Sequence, residues 1–181
     1  YSESGISAEN LDASLNSRND FYRTLNVDVI VLSHADKAHL GALPLVANAR
    51  NFQGITIDEN DELSWLHDKY FLQHKKGWQI KPIYKAALEA FSEIDGTFDL
   101  VFIDADKRNY ALYFDLVIDK MRSGGLILVD NVLWSGKIIE EAAKDKSTQA
   151  LRDFNTKVAN DPRVEPLLLP IRDGLFLLRV I

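Results

Sequence analysis

Apolar residues in this chain come in short runs separated by longer stretches in which they recur at helical spacing. The runs predict seven β-strands, at residues 27–32, 55–57, 79–84, 100–103, 126–129, 163–169 and 175–181. The amphipathic stretches predict helices at about 8–24, 40–50, 61–75, 86–94 and 148–160, with a further helix between the fourth and fifth strands. Regular alternation of strands and helices is typical of an α/β protein with a mostly parallel sheet.

Proline positions suggest how the strands are ordered. Among the predicted strands only the third, with Pro82, and the sixth, with Pro166, contain proline. Proline cannot donate to a β-ladder, so it belongs on the edges of a sheet. The order 3-2-1-4-5-7-6 puts both strands at edges, and the turn at 170–174 makes strand 7 antiparallel. We therefore predict a Rossmann-like, doubly wound seven-stranded α/β sheet in one domain, residues 1–181, with 1–26 as a short N-terminal helical segment.

Composition narrows the class of protein. The net charge is −6 and no basic cluster is longer than Lys75-Lys76, which argues against a nucleic-acid partner. No apolar run approaches the ~20 residues that span a bilayer, so no membrane partner is expected. The chain has no cysteine, which excludes disulfides and thiolate sites and favours a cytoplasmic location. It begins with Tyr1 rather than Met, from which we expect a processed, trimmed or engineered start.

Acidic and amide side chains follow two of the predicted strands. Asp104 comes directly after the fourth strand, and Asp130 and Asn131 come after the fifth. Ligands of open α/β sheets bind beyond the carboxyl ends of the strands, so we expect these side chains to converge. Their oxygens suit Mg²⁺, Mn²⁺ or Ca²⁺ better than zinc, and without a cation they should repel one another. The alternative is a helix cap at Asp104 and an ordinary turn at Asp130 and Asn131.

Three segments together resemble a known family. FDLVFIDADKRNY, GGLILVDNVLWSGK and DPRVEPLLLPIRDGLFLLR are similar to the cation-dependent class I O-methyltransferases, the group that contains catechol and caffeoyl-coenzyme A O-methyltransferases. The resemblance covers about residues 55–181. It implies the seven-stranded order given above and methyl transfer from S-adenosylmethionine to a hydroxyl of a small catechol-like phenol. It also implies a divalent cation (Mg²⁺, Ca²⁺ or Mn²⁺) that grips both substrate oxygens, and it makes a homodimer an option.

The resemblance also implies roles for individual residues. Asp104, Asp130 and Asn131 would be the metal ligands, Lys107 the general base, and Asp58 and Asp104 the contacts to the cofactor. A lysine beside a bound cation can lose its own proton and then accept the proton of the phenol. Trp134 would have a packing role beside the site.

The amino-terminal half departs from the family pattern. The family has a turn of the type E-x-G-x-x-x-G after the first strand and a G-D-A motif after the third. The corresponding residues here are Leu32–Ala38, with no glycine and no acid at the first place, and Lys85-Ala86-Ala87. We predict that both contacts to S-adenosylmethionine are missing and that Asp58 remains. This leaves open a non-catalytic methyltransferase-fold scaffold of engineered, recombined or degenerate origin.

A second, weaker resemblance concerns the stretch after the first strand. VDVIVLSHADKAHLGALPL is similar to the H-x-H-x-D-H region of metallo-β-lactamase-fold hydrolases, but its positions read His34, Asp36, Ala38 and His39. One histidine is replaced by Asp and the essential Asp by Ala. A metal-dependent hydrolase is therefore kept as a minor alternative.

Overall fold

The computed structural model of the chain describes residues 26–33, 51–73 and 77–181, with 26–33 described as backbone only. The predicted helices at 8–24 and 40–50 lie outside the described residues. The same is true of His34, Asp36, Ala38 and His39, on which the hydrolase alternative depends.

Seven strands in the described part of the chain form one sheet. They are β1 (Asn26–Ser33), β2 (Asn51–Asp58), β3 (Ile80–Tyr84), β4 (Phe98–Asp104), β5 (Met121–Asp130), β6 (Val164–Leu169) and β7 (Leu175–Val180). Their order is β3-β2-β1-β4-β5-β7-β6, with β7 antiparallel to both of its neighbours and the other pairs parallel. This order coincides with the one inferred from the prolines, because Pro82 and Pro166 lie on the two edge strands.

The helices and 3₁₀ turns occupy the connections. The α-helices are α1 (Ser64–Leu66), α2 (Ala87–Ser92), α3 (Tyr110–Ile118) and α4 (Lys146–Ala159). The 3₁₀ turns are Asp61–Leu63, Gly77–Gln79, Lys107–Asn109 and Trp134–Ile139. No helix among the described residues is long and apolar enough to cross a bilayer.

Part of the core formed by the described residues lies between the sheet and helices α3 and α4. Val101 and Ile103 of β4 are fully buried, and they pair in register with the equally buried Ile127 and Val129 of β5. Helix α4 places Leu151, Phe154 and Val158 against this layer at helical spacing. Asp145 begins α4, because its carboxylate accepts a hydrogen bond from the Thr148 backbone N–H at 3.0 Å. The packed layer gives β4 and β5 rigid carboxyl ends.

The segment predicted as one amphipathic helix over 61–75 is not regular. It is a 3₁₀ turn, the short helix α1 and a π-helical turn at His67–Phe71, which the Leu72 N–H closes by donating to the His67 carbonyl at 3.2 Å. Phe71 is buried, whereas the adjacent Tyr70 is 37% exposed. A Cβ at Gly77 would lie 1.6 Å from the Phe71 carbonyl oxygen, so the chain turns back against the end of this segment. That close return favours the wider π turn, which apolar spacing cannot reveal.

Candidate active site at the ends of β4 and β5

Two neighbouring parallel strands bring the predicted metal ligands together at their carboxyl ends. Asp104 is the last residue of β4 and Asp130 the last of β5, and the preceding residues Ile103 and Val129 are paired. Asn131 follows with a φ of 58° in the left-handed region, which asparagine tolerates better than most residues. Its backbone N–H donates to Asp130 Oδ1 at 2.7 Å. The turn thus holds the Asp130 carboxylate and sends the chain away from the sheet.

The side chain of Lys107 joins these strand ends. Lys107 begins the 3₁₀ turn after β4, and its ammonium lies 2.9 Å from Asp104 Oδ1 and 2.9 Å from Asn131 Oδ1. It also lies 2.6 Å from the Tyr110 hydroxyl and 3.2 Å from the Ala105 carbonyl oxygen. The side chains of Lys107 and Asp104 are only 9% and 11% exposed. An ammonium with three protons therefore faces four acceptors in a nearly closed environment.

This arrangement corrects the expectation that the strand-end oxygens repel one another when no metal is bound. The ammonium contacts oxygens from both Asp104 and Asn131, so the protein supplies a positive charge of its own. Asp104 is 8% exposed and forms an ion pair with Lys107. Burying a carboxylate is tolerable when it is paired and hydrogen-bonded in this way.

Tyr110 also belongs to the site, although no role was predicted for it. Its hydroxyl accepts from Lys107 and donates to the Asp130 backbone carbonyl at 3.0 Å, so it connects the turn after β4 to the end of β5. The side chain is fully buried. Burial raises the pKa of Tyr110, and the negative charges of Asp104 and Asp130 raise it further, so the phenol stays neutral. The spacing Asp104, Lys107, Tyr110, three residues apart each time, was the signal that could have identified it.

A second set of contacts fixes the turn that carries Lys107. The Tyr113 hydroxyl donates to Asp106 Oδ2 at 2.5 Å, and Asn109 Nδ2 donates to the same oxygen at 3.2 Å. Burial and the hydrogen bond to the Asp106 carboxylate both raise the pKa of Tyr113. Asp106 thus ties the start of the turn to helix α3.

Asp58 lies at the carboxyl end of β2, on the same edge of the sheet. Its Oδ1 accepts from the Asn60 N–H at 2.9 Å, whereas its Oδ2 is buried without a hydrogen-bond partner in the described part of the chain. A buried carboxylate oxygen without a donor is costly, so the position suits a ligand that brings hydroxyl groups. Asp58, predicted to contact the cofactor, thus keeps one carboxylate oxygen without a hydrogen bond from the described residues.

The three residues directly after β3 include no acid. Ala86, at the position where the G-D-A pattern has its acid, precedes α2 without a side-chain cap, and the neighbouring Lys85 places its ammonium 2.5 Å from Glu93 Oε1. An alanine offers no carboxylate equivalent to the family's acid. In the first-strand turn, Leu32 and Ser33 end β1, and residues 34–38 lie outside the described residues. The loss of the glycine turn therefore stays a prediction.

The loop after Asn131 is held in an unusual conformation beside the site. Trp134 and Ser135 have φ values of 50° and 52°, in the left-handed region that L-residues seldom adopt. The Leu133 N–H donates to the Asp173 carbonyl at 2.9 Å, and the Ser135 N–H donates to the Asp173 carboxylate. Trp134 is half-buried against the core, and its indole N–H is buried without a partner among the described residues.

Arg152 of α4 fixes the rest of that loop. Its guanidinium donates to four backbone carbonyls, those of Lys137 at 3.0 Å, Ile138 at 2.8 Å, Glu140 at 2.6 Å and Ala143 at 2.9 Å. Two of these carbonyls, those of Lys137 and Glu140, also accept from backbone N–H groups at 3.2 and 3.0 Å. One side chain thus adds four hydrogen bonds to the few that the backbone of this loop makes with itself.

The donor set at the strand ends fits a hard cation by its chemistry. Two carboxylates and an amide oxygen belong to Asp104, Asp130 and Asn131, and an ammonium already lies against two of these side chains. Within residues 51–73 and 77–181 no group of three His, Cys, Asp or Glu residues could hold a metal ion. A cation here would therefore depend on the amide oxygen of Asn131 as its third protein ligand.

A family model described as O-methyltransferase matches residues 45–181, which is more than half of the chain. The chain belongs to the O-methyltransferase family. The match includes Asp58, Lys107 and the ends of β4 and β5. It begins after the stretch 32–38, whose sequence contains no glycine.

Curated relatives match parts of the chain at moderate identity. A probable caffeoyl-CoA O-methyltransferase 2 of Dictyostelium discoideum is 38% identical over 109 residues, covering 59% of this chain and 47% of the relative. The caffeoyl-CoA O-methyltransferase of Petroselinum crispum is 46% identical over 90 residues, covering 46% of this chain and 37% of the relative. The matched part thus spans less than half the length of these two relatives.

Solved structures share the fold at low identity. The O-methyltransferase from Bacillus cereus in complex with SAH superposes with a TM-score of 0.76 at 20% identity, covering 99% of this chain and 83% of that one. An SAH-bound methyltransferase from Podospora anserina gives a TM-score of 0.78 at 23% identity, covering 99% and 80%. These similarities confirm the predicted Rossmann-like α/β architecture.

Proposed function

We propose that this protein is a cation-dependent O-methyltransferase that moves a methyl group from S-adenosylmethionine to a catechol-type hydroxyl. The observation that carries the proposal is the position of Lys107. Its ammonium lies 2.9 Å from both Asp104 Oδ1 and Asn131 Oδ1, at the carboxyl ends of adjacent parallel strands. Lys107, a potential proton acceptor, is thus in direct contact with the oxygens that would hold a cation. The cation in turn would hold a substrate hydroxyl close to Lys107.

The carboxyl ends of the strands carry candidate ligands for both the divalent cation and S-adenosylmethionine. Asp104, Asp130 and Asn131 would hold the divalent cation, which when bound supplies positive charge that favours the deprotonated form of a neighbouring hydroxyl. The buried Oδ2 of Asp58, which has no partner among the described residues, would accept from the ribose hydroxyls of S-adenosylmethionine, with Asp104 as the second proposed contact.

Lys107 is the proposed base. In its neutral form the amine takes the proton from the substrate hydroxyl, and the oxygen then attacks the methyl carbon as the carbon–sulfur bond of the sulfonium breaks. The bonding pair stays on sulfur, which becomes a neutral thioether. The Tyr110 hydroxyl, 2.6 Å away and itself bonded to the Asp130 carbonyl, fixes the amine against the ends of both strands. Holding a base at the reacting oxygen contributes through both proton transfer and orientation.

A non-catalytic scaffold is the second candidate, and one observation favours it. Ala86 stands where the family pattern has an acid, and the neighbouring Lys85 pairs with Glu93 at 2.5 Å, so no carboxylate is offered at this position. Together with the glycine-free sequence of residues 32–38, this argues for the loss of two of the expected contacts to S-adenosylmethionine.

The test is a methylation assay with S-adenosylmethionine, a 3,4-dihydroxyphenyl substrate and Mg²⁺, with the product detected by mass spectrometry. We expect Mg²⁺-dependent monomethylation that Lys107→Ala reduces by at least a hundredfold, in the range of general-base contributions. Lys144→Ala, a change at an exposed lysine of the loop before α4, is the matched control and should leave turnover unchanged. No product at millimolar S-adenosylmethionine favours the scaffold, and full activity of Lys107→Ala contradicts the proposed base.

A further inference from the structure

The four acceptors around the Lys107 ammonium fall into two pairs. Asp104 Oδ1 and Asn131 Oδ1, both at 2.9 Å, are side-chain oxygens that the proposed divalent cation also requires. The Tyr110 hydroxyl at 2.6 Å and the Ala105 carbonyl at 3.2 Å are not among the proposed ligands. The ammonium therefore shares the cation's oxygens on one side and has separate partners on the other.

We propose that the Lys107 ammonium is the resting cation of this site, and that a divalent ion binds by displacing it from Asp104 and Asn131. The inference rests on the proposed function, because it takes the same three residues as ligands. Its physical basis is that two positive charges held at the same oxygens repel each other, and the ammonium already contacts Asp104 Oδ1 and Asn131 Oδ1. With side-chain exposures of 9% for Lys107 and 11% for Asp104, little room is left for both cations.

Displacement does not leave the ammonium without partners. The Tyr110 hydroxyl and the Ala105 carbonyl stay available, and the Tyr110 hydroxyl is held in place by its bond to the Asp130 carbonyl at 3.0 Å. A small movement of one flexible side chain is enough to exchange the two cations.

Competition of this kind lowers the apparent affinity of the divalent ion, because part of its binding free energy is used to displace the ammonium. Titration calorimetry with MgCl₂ and with MnCl₂ alone measures the effect. We expect Lys107→Met, which keeps a long apolar side chain but no charge, to bind at least tenfold more tightly than the unmodified chain. Lys144→Met makes the same change of charge at an exposed position and should stay within twofold. Equal or weaker binding by Lys107→Met overturns the proposal.

Two further measurements keep the test decisive if Lys107→Met folds poorly. Lys107→Gln keeps a neutral hydrogen-bond donor for the same acceptors and should also bind Mg²⁺ more tightly than the unmodified chain. In a crystal of the unmodified protein soaked with Mn²⁺, the distance from Lys107 Nζ to Asp104 Oδ1 should exceed about 3.5 Å, the limit of a hydrogen bond. A distance unchanged from 2.9 Å with the ion bound overturns the displacement.

The outcomes for this inference and for the proposed function are separable. Suppose that Lys107→Met binds the metal more tightly and that the unmodified protein transfers no methyl group. This result supports the displacement and contradicts the proposed activity. Mg²⁺-dependent methyl transfer with metal affinities that are equal in the two proteins supports the activity and contradicts the displacement.

Discussion

The Lys107 ammonium donates to the Tyr110 hydroxyl at 2.6 Å, and this hydroxyl passes a hydrogen bond on to the backbone carbonyl that ends β5. Tyr110 therefore positions the proposed base from inside the core, where its side chain is fully buried.

Tyr110→Phe removes this hydroxyl and leaves the Asp130 carbonyl without its donor. We expect a loss of about 1–3 kcal/mol in the free energy of unfolding, as for other buried polar groups that lose a partner. For a chain of this length each kcal/mol lowers Tm by about 2–4 °C. Turnover should fall as well, because Lys107 loses its closest acceptor. Tyr113→Phe, which removes a hydrogen bond to Asp106 on the same helix, controls for the general loss of a phenol and should reduce turnover less. Similar losses of turnover in both variants would contradict the positioning role.

Asp104→Asn tests the internal ion pair. Because the ammonium already neutralises Asp104, the substitution should lower Tm of the metal-free protein, by an amount corresponding to about 1–3 kcal/mol. Simple repulsion among the strand-end oxygens predicts the opposite, a higher Tm. Calorimetric scans in EDTA decide between the two. Asp95→Asn, at an exposed carboxylate, is the control and should not move Tm appreciably.

The Asp161–Arg163 pair predicts a pH dependence of stability. Arg163 donates to both carboxylate oxygens of Asp161, at 3.0 and 2.7 Å, and this lowers the pKa of Asp161 from 3.8 to about 2. The folded-state pKa lies below the unfolded value, so the stabilisation is complete above about pH 4 and is lost as the pH falls towards 2. Since the Arg163 side chain is 43% exposed, solvent screening reduces it to roughly 1 kcal/mol. Urea unfolding at pH 5 and pH 2.5 should show a smaller pH effect in Asp161→Asn than in the unmodified chain. An equal pH effect in both proteins would show that the pair contributes nothing.

Arg152→Lys should loosen the loop after the site. Lysine keeps the charge but cannot reach four carbonyls at once, so we expect a loss of roughly 2 kcal/mol in unfolding free energy. Trypsin should also cleave faster after Lys137 and Lys144. Arg108→Lys, at an exposed arginine, makes the same exchange and should change neither quantity. Unchanged cleavage in Arg152→Lys would mean that the backbone conformation of the loop does not depend on these four hydrogen bonds.

The stretch 32–38 predicts weak binding of S-adenosylmethionine. A glycine turn would offer backbone N–H groups to the carboxylate of the ligand, and Leu32 cannot contact its ammonium. Each lost charged hydrogen bond costs about 1.5–3 kcal/mol, so we expect a Kd no tighter than about millimolar. The triple variant Leu32→Glu, His34→Gly and Ala38→Gly should bind more tightly, and adding Asp58→Ala should cancel part of the gain. Micromolar binding by the unmodified chain, measured by calorimetry, would refute this prediction.

Much of the sheet could be predicted from the sequence because its strands contain short apolar runs, three of which are followed directly by an acid. The runs at 100–103 and 126–129 lie inside β4 and β5, and the following acids Asp104 and Asp130 close those strands. Side-chain chemistry across strands could not be predicted in the same way. The contact of Lys107 with Asn131 joins residues 24 positions apart and depends on a lysine rotamer that local sequence does not determine. The left-handed conformation of Ser135 likewise depends on Asp173, which comes from the distant β6–β7 hairpin.

Asn131 meets two independent demands, since its backbone is left-handed with a φ of 58° and its side-chain oxygen contacts Lys107. Glycine would satisfy the first demand and fail the second, whereas a β-branched residue would fail both. Aspartate alone could meet both, but it would add a negative charge next to Asp104 and Asp130. Very few residues can therefore replace Asn131 and keep both its backbone conformation and its contact with Lys107. A saturation library at position 131 that is selected first for folding and then for activity should separate glycine from asparagine only at the second selection.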